Sequence, residues 1–349
     1  MPSDLSIALR DSYDHGLPMF YDSTSRNKEF KIPLLGYPIH HSLSPAVQNY
    51  MYSTKNLPWQ YYLLESKDPK DLLDALDSQD PSKTCIGAGV TMPHKVTFMS
   101  HVDEVTSSGK VIGAINTIFL RRDRTTRETK RIGTNTDSIG ISRSFTSIPS
   151  SLVSPEAKSR PGLVIGGGGA SRSAIYALHY LLGVSEIYLV SRLKSETDEL
   201  ISWFTRDSSS GPEFRAKLRG VHSLEEAKAL TAPYYVVGAI PDLTPQTEGE
   251  KLSYEITREL LGRKNESEKG LLLEMCYHPK IRTSLYDYAE NNGWYVIPGT
   301  EAMIWQAIAQ HILWTESELI NEEAVVEDLK KIVSEELLKR AQEEGKVSV

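Results

Sequence analysis

Cysteine is nearly absent from these 349 residues: only Cys85 and Cys276 occur, far apart and each inside an apolar, strand-like segment. Both are read as reduced core thiols rather than as a disulfide or a metal site, and no metal is expected. Positive charge is outnumbered by negative. With 39 Lys and Arg against 46 Asp and Glu, the net charge is −7, and no concentrated basic face of the kind nucleic acid requires is found. No apolar run reaches the length of a membrane span, and Met1 to Tyr13 lacks the basic start and apolar stretch of a leader, so a cytoplasmic protein with no membrane partner is expected. Internal repeats and low-complexity tracts are missing too. What remains, 40% hydrophobic and 24% charged residues, is ordinary for a soluble globular chain long enough for two domains.

Residues 1 to about 30 are polar without a clear period and read as a surface extension. From Lys31 onward, strand-like and helix-like segments alternate: Leu34 to Gly36, Tyr61 to Leu64 and Cys85 to Val90 as strands, Asp71 to Leu76 as a helix. Such alternation implies an α/β fold with a largely parallel sheet covered by helices. The run from Ser147 to Pro161 holds three prolines and five serines and reads as an exposed loop. Beyond it, Leu163 opens an apolar strand that enters Gly166-Gly-Gly-Gly169-Ala170, followed by a helix around Ser173 to Leu182 and a strand from Glu186 to Val190. Strand, glycine turn and helix in that order fit a Rossmann-like dinucleotide site. Gly166, Gly168, Gly169 and Ala170 would let backbone N–H groups approach a pyrophosphate at a helix N-terminus.

The next strand ends in Val190-Ser191-Arg192-Leu193-Lys194, with no acid before Glu196. An Asp or Glu there grips the ribose of NAD, whereas Arg accommodates a 2′-phosphate. Ser191, Arg192 and Lys194 therefore lean the cofactor toward NADP, with NAD as the alternative and surface charge as the bland reading. Further strands are expected at Pro233 to Gly238 and Gly270 to Cys276, the latter followed by Tyr277-His278-Pro279. A helix is expected from Glu301 through Trp314, and an amphipathic surface helix from Asn321 to Lys339 carrying Val325, Leu329 and Ile332.

Two segments carry most of the chemistry. Gly87-Ala-Gly-Val-Thr-Met-Pro-His-Lys95 and Gly133-Thr-Asn-Thr-Asp137 each set one ionisable side chain at the end of a strand-like stretch, beside small turn-forming residues that admit a ligand. Together they resemble the shikimate/quinate dehydrogenase family, which carries a lysine in V-T-x-P-x-K and an aspartate in N-T-D. Gly36-Tyr-Pro-Ile-His-His-Ser-Leu-Ser-Pro45 and Ile112-Gly-Ala-Ile-Asn-Thr117 resemble two further landmarks, and the likeness spans most of the chain. It implies a substrate domain at 1–136, an NAD(P)-binding domain at 137–299 and C-terminal helices at 300–349 that return to the first domain, closing a cleft.

Oxidation of a secondary alcohol needs a proton acceptor within reach of the hydroxyl. Lys95 is the candidate acceptor and oxyanion stabiliser, with Asp137 orienting it and holding the hydroxyl. A lysine beside a carboxylate needs some burial to act as a base. The bland reading is a structural ion pair. The resemblance implies that Ser42 and Ser44 bind the substrate carboxylate, although Ser44-Pro45 also reads as an N-cap followed by proline at the first helical position. It further implies that Asn116, Thr91, Tyr277 and Gln306 line a polyol and that Gly299 lies near the nicotinamide. His41 reads as a structural hydrogen-bonder and His40 as exposed.

Gly89 stands where shikimate-specific members have asparagine, and Gly238-Ala-Ile-Pro241 where many have N-A-T. Space beside the ring at Gly89 would favour quinate, with its added hydroxyl. The implied activity is reversible oxidation of the 3-hydroxyl of quinate, of shikimate, or of both, by a monomer or homodimer. The alternatives are a biosynthetic shikimate dehydrogenase and a quinate-sensing, repressor-like protein without turnover, which would show erosion of the lysine, the aspartate or the glycine loop.

Overall fold

The computed structural model describes residues 4–20, 25–78, 80, 84–155, 157, 159–206, 213–263, 269–278 and 280–343. The chain divides into two compact units, one comprising Met1–Lys110, Ala114–Thr136 and Met303–Val349, the other Val111–Gly113 and Asp137–Ala302.

In the first unit, β1 (Phe30–Gly36), β2 (Trp59–Glu65), β3 (Gly87–Val90), β4 (Glu104–Val105), β5 (Thr117–Arg122) and β6 (Thr129–Thr134) form a sheet in the order β2-β1-β3-β5-β6-β4. Pairing is parallel for β1 with β2 and β3 and for β4 with β6, and antiparallel across β3, β5 and β6. The sheet is parallel-rich, as expected, with an antiparallel part where β5 and β6 form a hairpin through the charged insert. Helices α1 (Asp4–Ser12), α2 (Ser44–Thr54), α3 (Pro69–Leu76) and α4 (Ser107–Ile112) accompany these strands, α3 starting where the Asp68 carboxylate accepts from Lys70 N at 2.9 Å.

The N-terminal extension is more than a polar wrap. Leu5 and Leu9, one helical turn apart on α1, are buried. Behind them Arg121 donates to Ser12 Oγ at 2.5 Å and pairs with Glu316 at 3.0 Å, and Glu316 accepts from Met19 N at 2.8 Å and Phe20 N at 3.2 Å. The lack of a long apolar period concealed a helix whose anchoring is this buried ion pair. Residues 1–3 and 21–24 of the extension lie outside the described residues.

The second unit holds β7 (Gly162–Ile165), β8 (Glu186–Val190), β9 (Lys217–Gly220), β10 (Tyr235–Gly238), β11 (Leu271–Glu274) and β12 (Tyr295–Pro298), all parallel, in the order β12-β11-β10-β7-β8-β9. The central strands β7, β10 and β11 are buried at every position, as parallel strands covered by helices on both faces must be. Those helices are α5 (Asp137–Thr146), α6 (Gly169–Tyr176), α7 (Lys194–Thr205), α8 (Leu224–Ala229), α9 (Glu248–Leu261) and α10 (Ser284–Asn291). The strand order reverses between β7 and β10, which is where dinucleotides bind at the carboxyl ends of such sheets. The helix after β7 begins at Gly169, earlier than the expected Ser173, and closes in a wider turn at Ala177–Leu181. The loop 147–161 carries a short helical turn at Ser150–Leu152; Glu156 and Lys158 within it are outside the described residues.

Two further helices follow among the described residues, α11 (Gly299–Thr315) and α12 (Glu322–Glu343). On α12 the buried apolar face is Val326, Leu329 and Val333, turned by one residue from the expected Val325, Leu329 and Ile332, because α12 packs on α2 and not on solvent alone. Cys85 is buried, and burial pushes its thiol up to about 11. Cys276 is not a core thiol: it is half-buried beyond the end of β11, its Sγ 3.2 Å from His278 O.

Candidate active site

In the first unit the sheet ends carry the predicted polar residues. Val90 N donates to Asn116 O and Thr91 N to Leu35 O, both at 2.8 Å, so the chain leaves β3 in register with its neighbours and turns where His94 N bonds Thr91 O. His94 is buried, its Nε2 2.9 Å from Ser66 O, which fixes the turn and leaves Lys95 half-buried at its far side. Lys95 O accepts from Ile115 N at 2.7 Å, tying the lysine to the strand that presents Asn116. At Gly36 an added Cβ would lie 2.3 Å from the Thr91 methyl, so the β1 turn and the Thr91 turn touch through that glycine.

Asn116 is 3% exposed and forms the centre of a polar cluster. Its amide nitrogen donates to Thr136 Oγ1 at 2.9 Å and to Gln306 Oε1 at 3.2 Å, and its oxygen accepts from Thr136 N and Thr117 Oγ1, both at 2.8 Å. Asn116 and Gln306, 190 residues apart, are thus neighbours. Thr136 is the residue that sequence reasoning missed, although it lies in the N-T-D segment that was singled out. Asp137 follows it directly, buried at the first position of α5.

The Ser42 turn is built differently from expectation. Ser44 is itself the first residue of α2, preceded by a helical Leu43, so its hydroxyl is not the cap. Ser42 Oγ instead accepts from Ser44 N at 3.3 Å. His40 is exposed and His41 half-buried.

Gly89 does not open space for a ligand. A Cβ there would meet the Tyr61 hydroxyl at 2.4 Å and Leu34 Cδ1 at 2.8 Å, and Tyr61 is 2% exposed, so the space is core already filled from β2. Gly238 is similar, an added Cβ lying 2.3 Å from Glu274 Oε2. Glu274 is 1% exposed, and burial raises its carboxyl well above the ordinary range.

In the second unit the glycine loop has the form of an anion cradle. Gly166 adopts φ +129°, and a Cβ would lie 2.8 Å from Ala239 O, so only glycine fits. Around the Cα of Gly168 nothing lies within 4 Å where a Cβ would stand, and the N-terminus of α6 follows at once. That open approach to backbone N–H groups fits a dinucleotide pyrophosphate.

The basic pair after β8 is not free. Lys194 pairs with Asp198 at 2.8 Å, and Arg192 lies 3.4 Å from Glu196 and 3.6 Å from Glu250. Glu250 completes the capping box of α9; the Thr247 and Gln246 backbone donors pull its carboxyl down to about 2. Ser191 Oγ donates to Glu196, whose carboxylate also packs on Gly167, 2.8 Å from where a Cβ would be. The acid absent from the strand end in sequence is thus returned to it by the first turn of α7. Gly299 opens α11 so close to Met275 O, 2.3 Å from an added Cβ, that no side chain fits. Tyr277 is half-buried after β11, and Pro279 lies outside the described residues.

Residues 34–118 match the shikimate dehydrogenase substrate binding domain. The chain is 36% identical over 316 residues to the quinate dehydrogenase of Emericella nidulans, covering 88% of this chain and 94% of that protein. It belongs to the shikimate/quinate dehydrogenase family. Among solved structures, the dehydroquinate dehydratase and shikimate dehydrogenase from S. pombe AroM is 30% identical with a TM-score of 0.66, over 86% of this chain and 53% of that one. The quinate dehydrogenase from Corynebacterium glutamicum in complex with NAD has the same fold, with a TM-score of 0.67, 22% identity, and 88% and 100% coverage. As in the family, the chain is α/β with two parallel-rich sheets. Among the described residues no cluster of His, Cys, Asp or Glu could hold a metal ion, and no helix is long and apolar enough to cross a membrane.

Proposed function

We propose that this family member is an NAD(P)-dependent dehydrogenase that oxidises the 3-hydroxyl of quinate, shikimate or both to the ketone, the first unit binding substrate and the second the dinucleotide. The observation that carries this reading is the cluster of buried Asn116 and Thr136 with half-buried Gln306, a donor-and-acceptor set suited to vicinal hydroxyls. A bound nicotinamide supplies the hydride acceptor. Lys95 takes the hydroxyl proton and stabilises the oxyanion, and Asp137 holds that hydroxyl. Ser42 and Ser44 bind the carboxylate; Thr91 and Tyr277 line the ring. Gly166, Gly168, Gly169 and Ala170 hold the pyrophosphate, and Gly299 leaves room for the nicotinamide.

The finer reading of the cofactor is NAD. Arg192 and Lys194 suggested a 2′-phosphate site, but three carboxylates, those of Glu196, Glu250 and Asp198, compensate the two cations. A dianionic phosphate would be repelled there, whereas Glu196 beside Ser191 can accept from a ribose hydroxyl. The lean toward quinate from Gly89 loses its footing, since Tyr61 occupies that space. Initial rates of quinate and shikimate oxidation with NAD and with NADP test the proposal. Ketone formation with stoichiometric reduced cofactor is expected; binding of substrate with no turnover by the folded protein under any of the four pairings overturns it in favour of a sensor.

A further inference from the structure

The C-terminal helix α12 reaches the Ser42 turn through one side chain. Arg340 donates from Nη1 to His41 O at 2.6 Å and from Nη2 to Ser42 O at 3.2 Å, while its Nε bonds Glu336 one turn back at 3.0 Å. A surface arginine with an i,i+4 carboxylate has no need of the backbone. Here the planar fork spans two successive carbonyls, an arrangement lysine cannot copy.

We infer that Arg340 is a positioning residue for substrate-carboxylate recognition, acting through the backbone of Ser42; the inference rests on the substrate reading above. Holding the carbonyls of residues 41 and 42 sets both peptide planes that flank Ser42. Within the turn, Ser42 N also donates to Ile39 O at 2.8 Å and Ser44 N to Ser42 Oγ at 3.3 Å, but neither bond holds the carbonyl of residue 41 or 42. With the fork removed, both planes that flank the Ser42 Cα are freed, so φ and ψ of Ser42 can change together and re-aim its Cα–Cβ bond and hydroxyl. The helix itself does not depend on Arg340, because Val326, Leu329 and Val333 are buried and Tyr50 donates to Asp328 at 3.1 Å. Loss of the guanidinium therefore loosens the turn while α12 stays docked.

The test is steady-state kinetics of Arg340→Ala, Arg340→Lys and Ser42→Ala, plus the double variant Arg340→Ala with Ser42→Ala, with melting temperature and NADH binding as controls. Arg340→Ala should raise KM for quinate or shikimate about tenfold, the scale of a charge-assisted hydrogen bond, with kcat, melting temperature and NADH binding nearly unchanged. Arg340→Lys should recover part of the loss. In the Ser42→Ala background the effect should shrink to about twofold or less, since the two residues act as one unit. An unchanged KM in Arg340→Ala, or the same rise with and without the Ser42 hydroxyl, overturns the inference while leaving the dehydrogenase reading intact. A wild type without turnover overturns both.

Discussion

Replacing Gly89 by alanine should destabilise the first unit through a single atom. The new Cβ would stand 2.4 Å from the Tyr61 hydroxyl oxygen and 2.8 Å from Leu34 Cδ1, both far inside contact distance. Tyr61 cannot swing away, being 2% exposed and packed 5.7 Å from the Trp314 ring, and Gly89 is itself held in β3 between β1 and β5. Overpacking of this kind costs about 1–3 kcal/mol. In a domain of this size each kcal/mol lowers the melting midpoint by roughly 2–4 °C. Tyr61→Phe removes the clashing oxygen and leaves its ring carbon at 3.5 Å, an ordinary contact, so Gly89→Ala should cost less in that background; Leu34 accounts for what remains. Urea and thermal denaturation of the four proteins complete a double-mutant cycle. Equal stability of Gly89→Ala and wild type, or equal cost with and without the hydroxyl, refutes the assignment of Gly89 to core packing and restores it as a ligand-facing position.

Lys95→Ala and Asp137→Asn should each lower kcat by at least about a hundredfold in a folded protein, as for a positioned acid–base group; near-normal turnover in both removes them from the chemistry. NADH should bind more tightly than NADPH by fluorescence titration, and Glu196→Gln should weaken NADH about tenfold or more while narrowing that preference; tighter NADPH binding by wild type would show Arg192 to be a phosphate ligand after all. His311, fully buried against Tyr52 without a hydrogen-bond partner, has its pKa pressed well below the usual histidine value, first by burial and then by Lys55. Only the unfolded chain then takes up this proton, so stability should fall as pH drops through about 6.5, and His311→Leu should flatten that limb of the denaturation profile; identical limbs would mean His311 protonates in place.

The sequence by itself determined what is local and periodic. Short apolar runs bounded by Gly and Pro, such as Leu163–Ile165 and Tyr235–Gly238, read as buried strands, and the glycine turn between a strand and a helix marks its own place, because length and flanking residue types are local signals. The V-T-M-P-H-K segment likewise marked the turn that follows β3, where His94 N bonds Thr91 O. Tertiary structure decided whatever depended on partners distant in the chain. Asn116 meets Gln306 across 190 residues, and α1 is secured by Arg121 and Glu316, which no window of sequence could connect. Charges were the hardest to read. Arg192 and Lys194 count as two cations in a string of letters, yet one helical turn folds Glu196 and Asp198 back onto them, and the cap of α9 brings Glu250 from farther still. Gly89 shows the same limit for space: a missing side chain is visible in sequence, but whether a ligand or a neighbouring tyrosine fills the gap is settled only by packing.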